Sequence, residues 1–205
     1  MPDLLQWLGR LPPEAYLVPP VLIIGGLVAG IVIRESVRLG HYRAIAARTG
    51  LSVKRGFVNP SQVHGVFDGR HIEMTIASPR GIAWRQRNGT CVAVELKHPG
   101  LVNLRIAPKD VFDRMLGIDG DVQTGDARFD RRYVIRTRDR GAAMRIFHDP
   151  KLRESMLGVN VSVAETMSAA VWVFSDREIR DPAHAEQFFT TAVQLASAMD
   201  GVKYP

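Results

Sequence analysis

The sequence predicts an α+β protein: an N-terminal transmembrane helix, then one domain with an antiparallel sheet packed by helices and closed by a long C-terminal helix. Three observations predict it. Residues Ala15 to Ile33 carry no charge. Beyond Gly50, apolar residues alternate with polar ones, which is the period of a strand with one buried face. Strands and helices do not alternate regularly and no glycine fingerprint follows a strand, which disfavours a doubly wound nucleotide-binding fold. On this reading residues 1–14 form an outer-face interfacial segment, 15–36 the transmembrane helix, 37–50 a juxtamembrane helix and 51–205 a cytoplasmic domain.

The uncharged run is nineteen residues long. Roughly 20 apolar residues, rising about 1.5 Å each, cross a bilayer core of about 30 Å. A cleaved signal has a basic start, a shorter apolar stretch and a small-residue cleavage site. Here Asp3, Arg10 and Glu14 precede the run and Ile31-Val32-Ile33-Arg34 ends it. An uncleaved anchor is therefore favoured over a signal peptide and over a buried helix. Leu4, Leu5, Trp7, Leu8 and Leu11 fall at helical spacing ahead of it, as in a short interfacial helix with Trp7 at headgroup depth; a frayed terminus is the alternative. Pro19 and Pro20 either start the helix or kink it. Gly25, Gly26, Ala29 and Gly30 place small residues four apart, which lets a second helix approach closely.

The flanks set the expected orientation. Arg34, Arg38, Arg43, Arg48, Lys54 and Arg55 follow the run against Glu35 alone. Positive charge stays on the cytoplasmic side, so the N-terminus is expected outside a bacterial inner membrane and the domain inside. The chain carries 27 Lys+Arg and 21 Asp+Glu, a net +6, and most of that excess is this collar. It argues against a nucleic-acid face. Arg34, Arg38 and Arg43, with Trp7, are instead candidate contacts to anionic lipid headgroups. A single cysteine, Cys91, excludes an internal disulfide and suits a reducing compartment.

The elements follow in order. Arg34–Thr49 continues the helix and Gly50 stops it. Ile72, Met74 and Ile76 share one face of a strand, as do Val92, Val94 and Leu96, and Val102, Leu104 and Ile106. Asp68-Gly69 and Asn88-Gly89 are hairpin signals of type I′. Pro108 is read as opening a short helix that Gly117 ends. Phe129–Arg136 reads as a strand, and Gly141–Leu157 as a helix broken near Pro150. Val159–Val163 and Ala170–Phe174 read as two more strands. Asp181-Pro182 opens the last helix with a cap and a first-turn proline. Ala185, Phe188, Phe189, Ala192, Leu195, Ala196 and Met199 form its apolar stripe, which packs on the sheet.

Chemistry is sparse. Asp119, Asp121, Asp126 and Asp130 crowd one stretch with Gly120 and Gly125, a composition that suits a hard cation. The spacing departs from the calcium loop, and Arg128, Arg131 and Arg132 stand near, so surface ion pairs and Asx-turns are the favoured reading over a metal site. The six histidines have no zinc spacing. Cys91 lies in a strand and reads as core rather than nucleophile. No hydrolase, protease or phosphate-loop motif occurs, so no catalytic residue and no cofactor is assigned. Trp84, Arg85 and Arg87 are candidate partner contacts, an aromatic among arginines beside a turn.

The segment Thr124–Ile135, TGDARFDRRYVI, with Ala142, Ala143 and Leu152 after it, resembles a block in uncharacterised bacterial single-pass membrane proteins with a GDxxFDxxF-type motif. The resemblance implies a bacterial origin and carries no mechanism. The function expected from the whole is a non-catalytic accessory or assembly subunit of a larger membrane complex, of respiratory or photosynthetic type. Other membrane subunits would be bound through the helix. Two alternatives stand beside it: a tethered enzyme or metal-binding domain using Asp119–Asp130, and an anionic-lipid sensor using the basic collar.

Overall fold

The computed structural model describes residues 18–56, 60–77, 89–98, 103–109, 122–167 and 169–202. Its first element, α1, runs from Val18 to Thr49. Among the described residues no helix is long and apolar enough to cross a membrane. This overturns the expected transmembrane helix over 15–36 and the single-pass arrangement built on it. Within α1 the described uncharged residues run from Val18 to Ile33. Pro19, Pro20, Gly25, Gly26 and Gly30 lower their hydropathy, and from Arg34 the helix is charged.

The chain divides into two units, one ending at Gly40 and one beginning at His41. In the first, Ile23, Leu27, Ile31, Val32, Ile33 and Val37 are exposed. Arg38 pairs with Glu35 at 2.7 Å, and the Ser36 hydroxyl donates to the Val32 carbonyl at 2.8 Å.

In the second unit Tyr42, Ile45 and Ala46, from the last turns of α1, are buried in the core. Gly50 ends the helix at φ +72°, the left-handed cap that glycine adopts without a Cβ penalty. The Leu51 amide bonds back to the Ala46 carbonyl at 3.0 Å. The strands are β1 (Ser52–Lys54), β2 (Gln62–Phe67), β3 (Arg70–Ala77), β4 (Gly89–Glu95), β5 (Leu104–Pro108), β6 (Tyr133–Thr137), β7 (Val163–Met167) and β8 (Ala170–Phe174). They form one antiparallel sheet in the order β1-β2-β3-β4-β8-β7-β5-β6. Helices α2 (Ala127–Arg132), α3 (Arg140–Ile146), α4 (Pro150–Gly158) and α5 (Pro182–Asp200) complete it. The α+β class with an antiparallel sheet is thus observed.

The Asp68-Gly69 hairpin forms as its chemistry demands. Asp68 has φ 49° and Gly69 φ 75°, the two positive values of a type I′ turn, and Phe67 pairs with Arg70 around it. Asn88-Gly89 behaves differently. Gly89 is the first residue of β4 and pairs with Ala77, and the strand expected over 83–87 lies outside the described residues. Asn88 lies outside the described residues. Pro108 closes β5 opposite Tyr133, and the helix expected after it falls outside the described residues from 110 onward. Two further strand boundaries move. Residues Ala127–Arg132 are helical because Asp126 caps them, leaving the strand to begin at Tyr133. The strand expected over 159–163 begins at Val163.

The inner face of the sheet carries Val63, Ile72, Met74, Val92, Val94, Leu104, Ile106, Ile135, Val171 and Val173, in one core with the stripe of α5. Asp181 caps α5 by accepting from the His184 amide at 2.8 Å, with Pro182 at the first turn. The outer face holds a smaller cluster of Cys91, Ala107, Val134, Val163 and Phe174, with Trp172 packed against it.

Candidate functional site

The aspartate-rich stretch is a closed clasp. Gly125 sits at φ +81°, which turns the chain so that Asp130 reaches back over it. One Asp130 oxygen accepts from the Thr124 amide at 2.9 Å and the Thr124 hydroxyl at 2.8 Å; the other accepts from the Gly125 amide at 3.0 Å. Asp126 caps α2, accepting from the Arg128 amide at 3.0 Å and the Phe129 amide at 3.2 Å, and pairs with Arg153 at 3.2 Å. Arg153 also donates to the carbonyls of Phe147 and His148. The clasp sets Phe129 into the core, with its ring centroid 4.9 Å from Tyr133 and 5.5 Å from Phe147. The Tyr133 hydroxyl lies 2.9 Å from the Val161 carbonyl and 3.2 Å from that of Met156. Burial pushes the Tyr133 pKa up, against the opposing pull of Arg132.

These carboxylates are thus occupied by amides and an arginine, the donors that a cation would have to displace. The Phe129 amide foremost, helped by Arg153 and the Arg128 amide against a smaller effect of burial, holds the Asp126 carboxyl below its ordinary range. Asp119 and Asp121 lie outside the described residues. Among the described residues no group of three His, Cys, Asp or Glu side chains is placed to hold a metal ion. Asp126→Ala is expected to unfold at a lower temperature than the parent, through loss of the cap. Its midpoint and the parent's should both be unmoved by calcium or magnesium. A metal-dependent rise in the parent that the variant loses would show that the stretch binds a cation, since a ligand of the folded state must stabilise it.

The remaining predicted positions are separated rather than gathered. Gly25, Gly26, Ala29 and Gly30 are exposed on α1, and a Cβ added at Gly25, Gly26 or Gly30 meets nothing within 4 Å. Arg34 and Arg43 are exposed and Arg38 is held by Glu35. Trp7, Trp84, Arg85 and Arg87 lie outside the described residues. Cys91 is fully buried, and burial, with Glu165 and Glu73 nearby, pushes its thiol far up. Burial of this kind disfavours the thiolate, the form in which a cysteine acts as a nucleophile.

Sequence reasoning missed the ion pair of Arg70 and Asp200, 2.6 Å apart with both side chains 8% exposed. It ties the end of α5 to β3 and β4 across 130 positions, and no local pattern announces it. It also missed Arg153, whose partner Asp126 is 27 positions away.

No known family matches the chain, and no curated protein matches it in sequence. Among solved structures, the crystal structure of the mycobacterial trehalose monomycolate transport factor A, TtfA, is similar. The two superpose with a TM-score of 0.53 over 81% of this chain and 98% of that one, at 12% identity. A likeness at that identity speaks for a shared fold.

Proposed function

We propose that this chain is a non-catalytic accessory or assembly subunit of a larger bacterial membrane protein complex, held at the cytoplasmic side through contact with a protein partner. The observation that carries this reading is the apolar half of α1. Ile31, Val32 and Ile33 are consecutive and 67%, 58% and 64% exposed. Three successive helical residues point about 100° apart, so the helix shows apolar surface on most of its circumference here. Contiguous apolar surface of this kind marks a protein-interaction site. The open strip over Gly25, Gly26, Ala29 and Gly30 gives a partner helix a place for close backbone approach.

The test separates folding from association. A Cβ at Gly26 or Gly30 would meet nothing within 4 Å, so Gly26→Ile and Gly30→Ile should leave the chain folded. In a tight helix–helix contact the added side chain holds the backbones apart, at about 1–3 kcal/mol, or about 5- to 150-fold in affinity. Extraction in mild detergent should recover the parent and Leu27→Ile with the partner complex, and the two glycine variants without it. Normal recovery of both glycine variants would sink the α1 contact.

A further inference from the structure

The outer face of the sheet carries a groove of about 520 Å³ that spans β1 to β8. Register builds its floor. His64 on β2 lies opposite Glu73 on β3, Glu73 opposite Ala93 on β4, and Ala93 opposite Trp172 on β8. Lys54 on β1 and Glu95 on β4 complete the lining. Strands lie about 4.8 Å apart, so the groove runs about 19 Å across them.

Its charge is ordered along that length. Lys54 stands at the β1 end, His64 follows on β2, His71 and Glu73 share β3, Glu95 lies on β4, and the Trp172 indole closes the β8 end. The Lys54, Glu73 and Glu95 side chains are exposed and Trp172 is half-buried. Among the described residues no ion pair or hydrogen bond engages the side chains of Lys54, Glu73 and Glu95 or the Trp172 ring nitrogen. Elsewhere on this molecule a carboxylate beside a strand is used: Glu165, next to Trp172 on β7, is 3.5 Å from Arg105. Ala93 and Ala170 flank the indole and leave its surroundings open.

We infer that this groove docks an extended segment of a protein partner, lying across the strands with an arginine or lysine at the Trp172 end and an acidic residue at the Lys54 end. Two unengaged carboxylates lining the same groove as an aromatic ring attract a guanidinium or ammonium as ions, and the ring adds the attraction of its quadrupole. Lys54 supplies the complementary charge for a carboxylate. An open trough favours a chain segment over a small molecule, which is ordinarily enclosed over most of its surface. About 19 Å is the span of about six extended residues. The site lies wholly in the second unit and makes no use of the α1 contact.

The test uses the full chain with Trp7→Phe and Trp84→Phe, so that Trp172 is the sole indole. The probe is a capped hexapeptide with arginine at one end, aspartate at the other and glycine–serine between, titrated at low salt. A saturable change in Trp172 emission is expected. Citrulline in place of arginine, or Glu73→Gln with Glu95→Gln in the protein, should each weaken binding about five- to tenfold, the loss expected from a cation over a ring with exposed carboxylates. Both glutamates are exposed, and unchanged circular dichroism will confirm the fold. Gly26→Ile should leave the titration unaltered, which keeps this result separate from the α1 reading. An unsaturable response, equal binding of the citrulline peptide, or equal binding of capped arginine alone would overturn the inference.

Discussion

Asp200→Ala is expected to destabilise the protein by about 3–5 kcal/mol, because removing one partner leaves the other a buried, uncompensated charge. The Arg70 side chain is 8% exposed and its guanidinium lies 2.6 Å from Asp200. Among the described residues Arg70 keeps the Ser197 hydroxyl at 3.1 Å and the Glu95 carbonyl at 3.2 Å when the carboxylate goes. The amides of Lys97 and His98, at 3.1 and 3.0 Å, lose their acceptor as well. For a chain of this size about 1 kcal/mol moves the melting temperature by about 2–4 °C, so a fall of at least about 6 °C should be read by calorimetry. Arg70→Met combined with Asp200→Leu should recover part of the loss, since no lone charge remains. A melting temperature unchanged in Asp200→Ala would show that the pair contributes nothing net.

The same pair fixes the direction of a pH effect. Burial pushes the Asp200 carboxyl up, and the Arg70 guanidinium with the Lys97 and His98 amides more than offsets it, so the net shift is downward. A carboxyl whose folded pKa lies below its unfolded value, about 3.9, contributes stability that is fully present above that value. The contribution is lost as pH falls from about 4 through the folded pKa. The parent should therefore lose stability more steeply than Asp200→Ala in that window, and the two should run parallel near neutrality.

What could be read from the sequence was what local chemistry decides. The Asp68-Gly69 turn needs two positive φ values, and those two residues supply them. The stripe of α5 repeats over enough turns to show a helical period. Phe129–Arg136 misled because α2 is a helix of six residues, too short to display a period. Its cap, Asp126, is the deciding residue, and Phe129 and Tyr133 look equally at home in a strand. The apolar run misleads because an uncharged length that includes Pro19, Pro20, Gly25, Gly26 and Gly30 is less apolar than its length suggests. The pairings β4-β8 and β5-β7 have no local signal, since they join strands far apart in the chain, whereas β7 and β8 are consecutive and form a hairpin. The groove is invisible for the same reason. Glu73 and Trp172 come to share one row, with Ala93 between them, only through the registers of β3, β4 and β8, and neither sits in a motif.

Gly89→Ala tests that unannounced topology at its centre, where β4 meets β8. A Cβ on Gly89 would lie 1.9 Å from the Ser175 carbonyl oxygen and 3.2 Å from the carbonyl carbon of Asp176. Both obstacles are backbone, so no rotamer relieves them. The chain after β8 must move away, and the bonds there go with it. The Ser175 amide donates to the Thr90 carbonyl at 2.8 Å, the Thr90 amide to the Arg177 carbonyl at 3.1 Å, and the Ile179 amide to the Thr90 hydroxyl at 2.7 Å. Overpacking of this kind costs about 1–3 kcal/mol before any bond is lost, and each lost bond adds about 0.5–1.5 kcal/mol. A loss of at least about 3 kcal/mol in urea unfolding is the expected result. Gly40→Ala is the matched control. Gly40 lies in α1 with nothing within 4 Å of an added Cβ, so alanine there should stabilise by about 0.5–1 kcal/mol through helix propensity alone. Equal midpoints for Gly89→Ala and the parent would mean that β4 and the segment after β8 do not approach this closely, and the central pairing of the sheet would have to be redrawn.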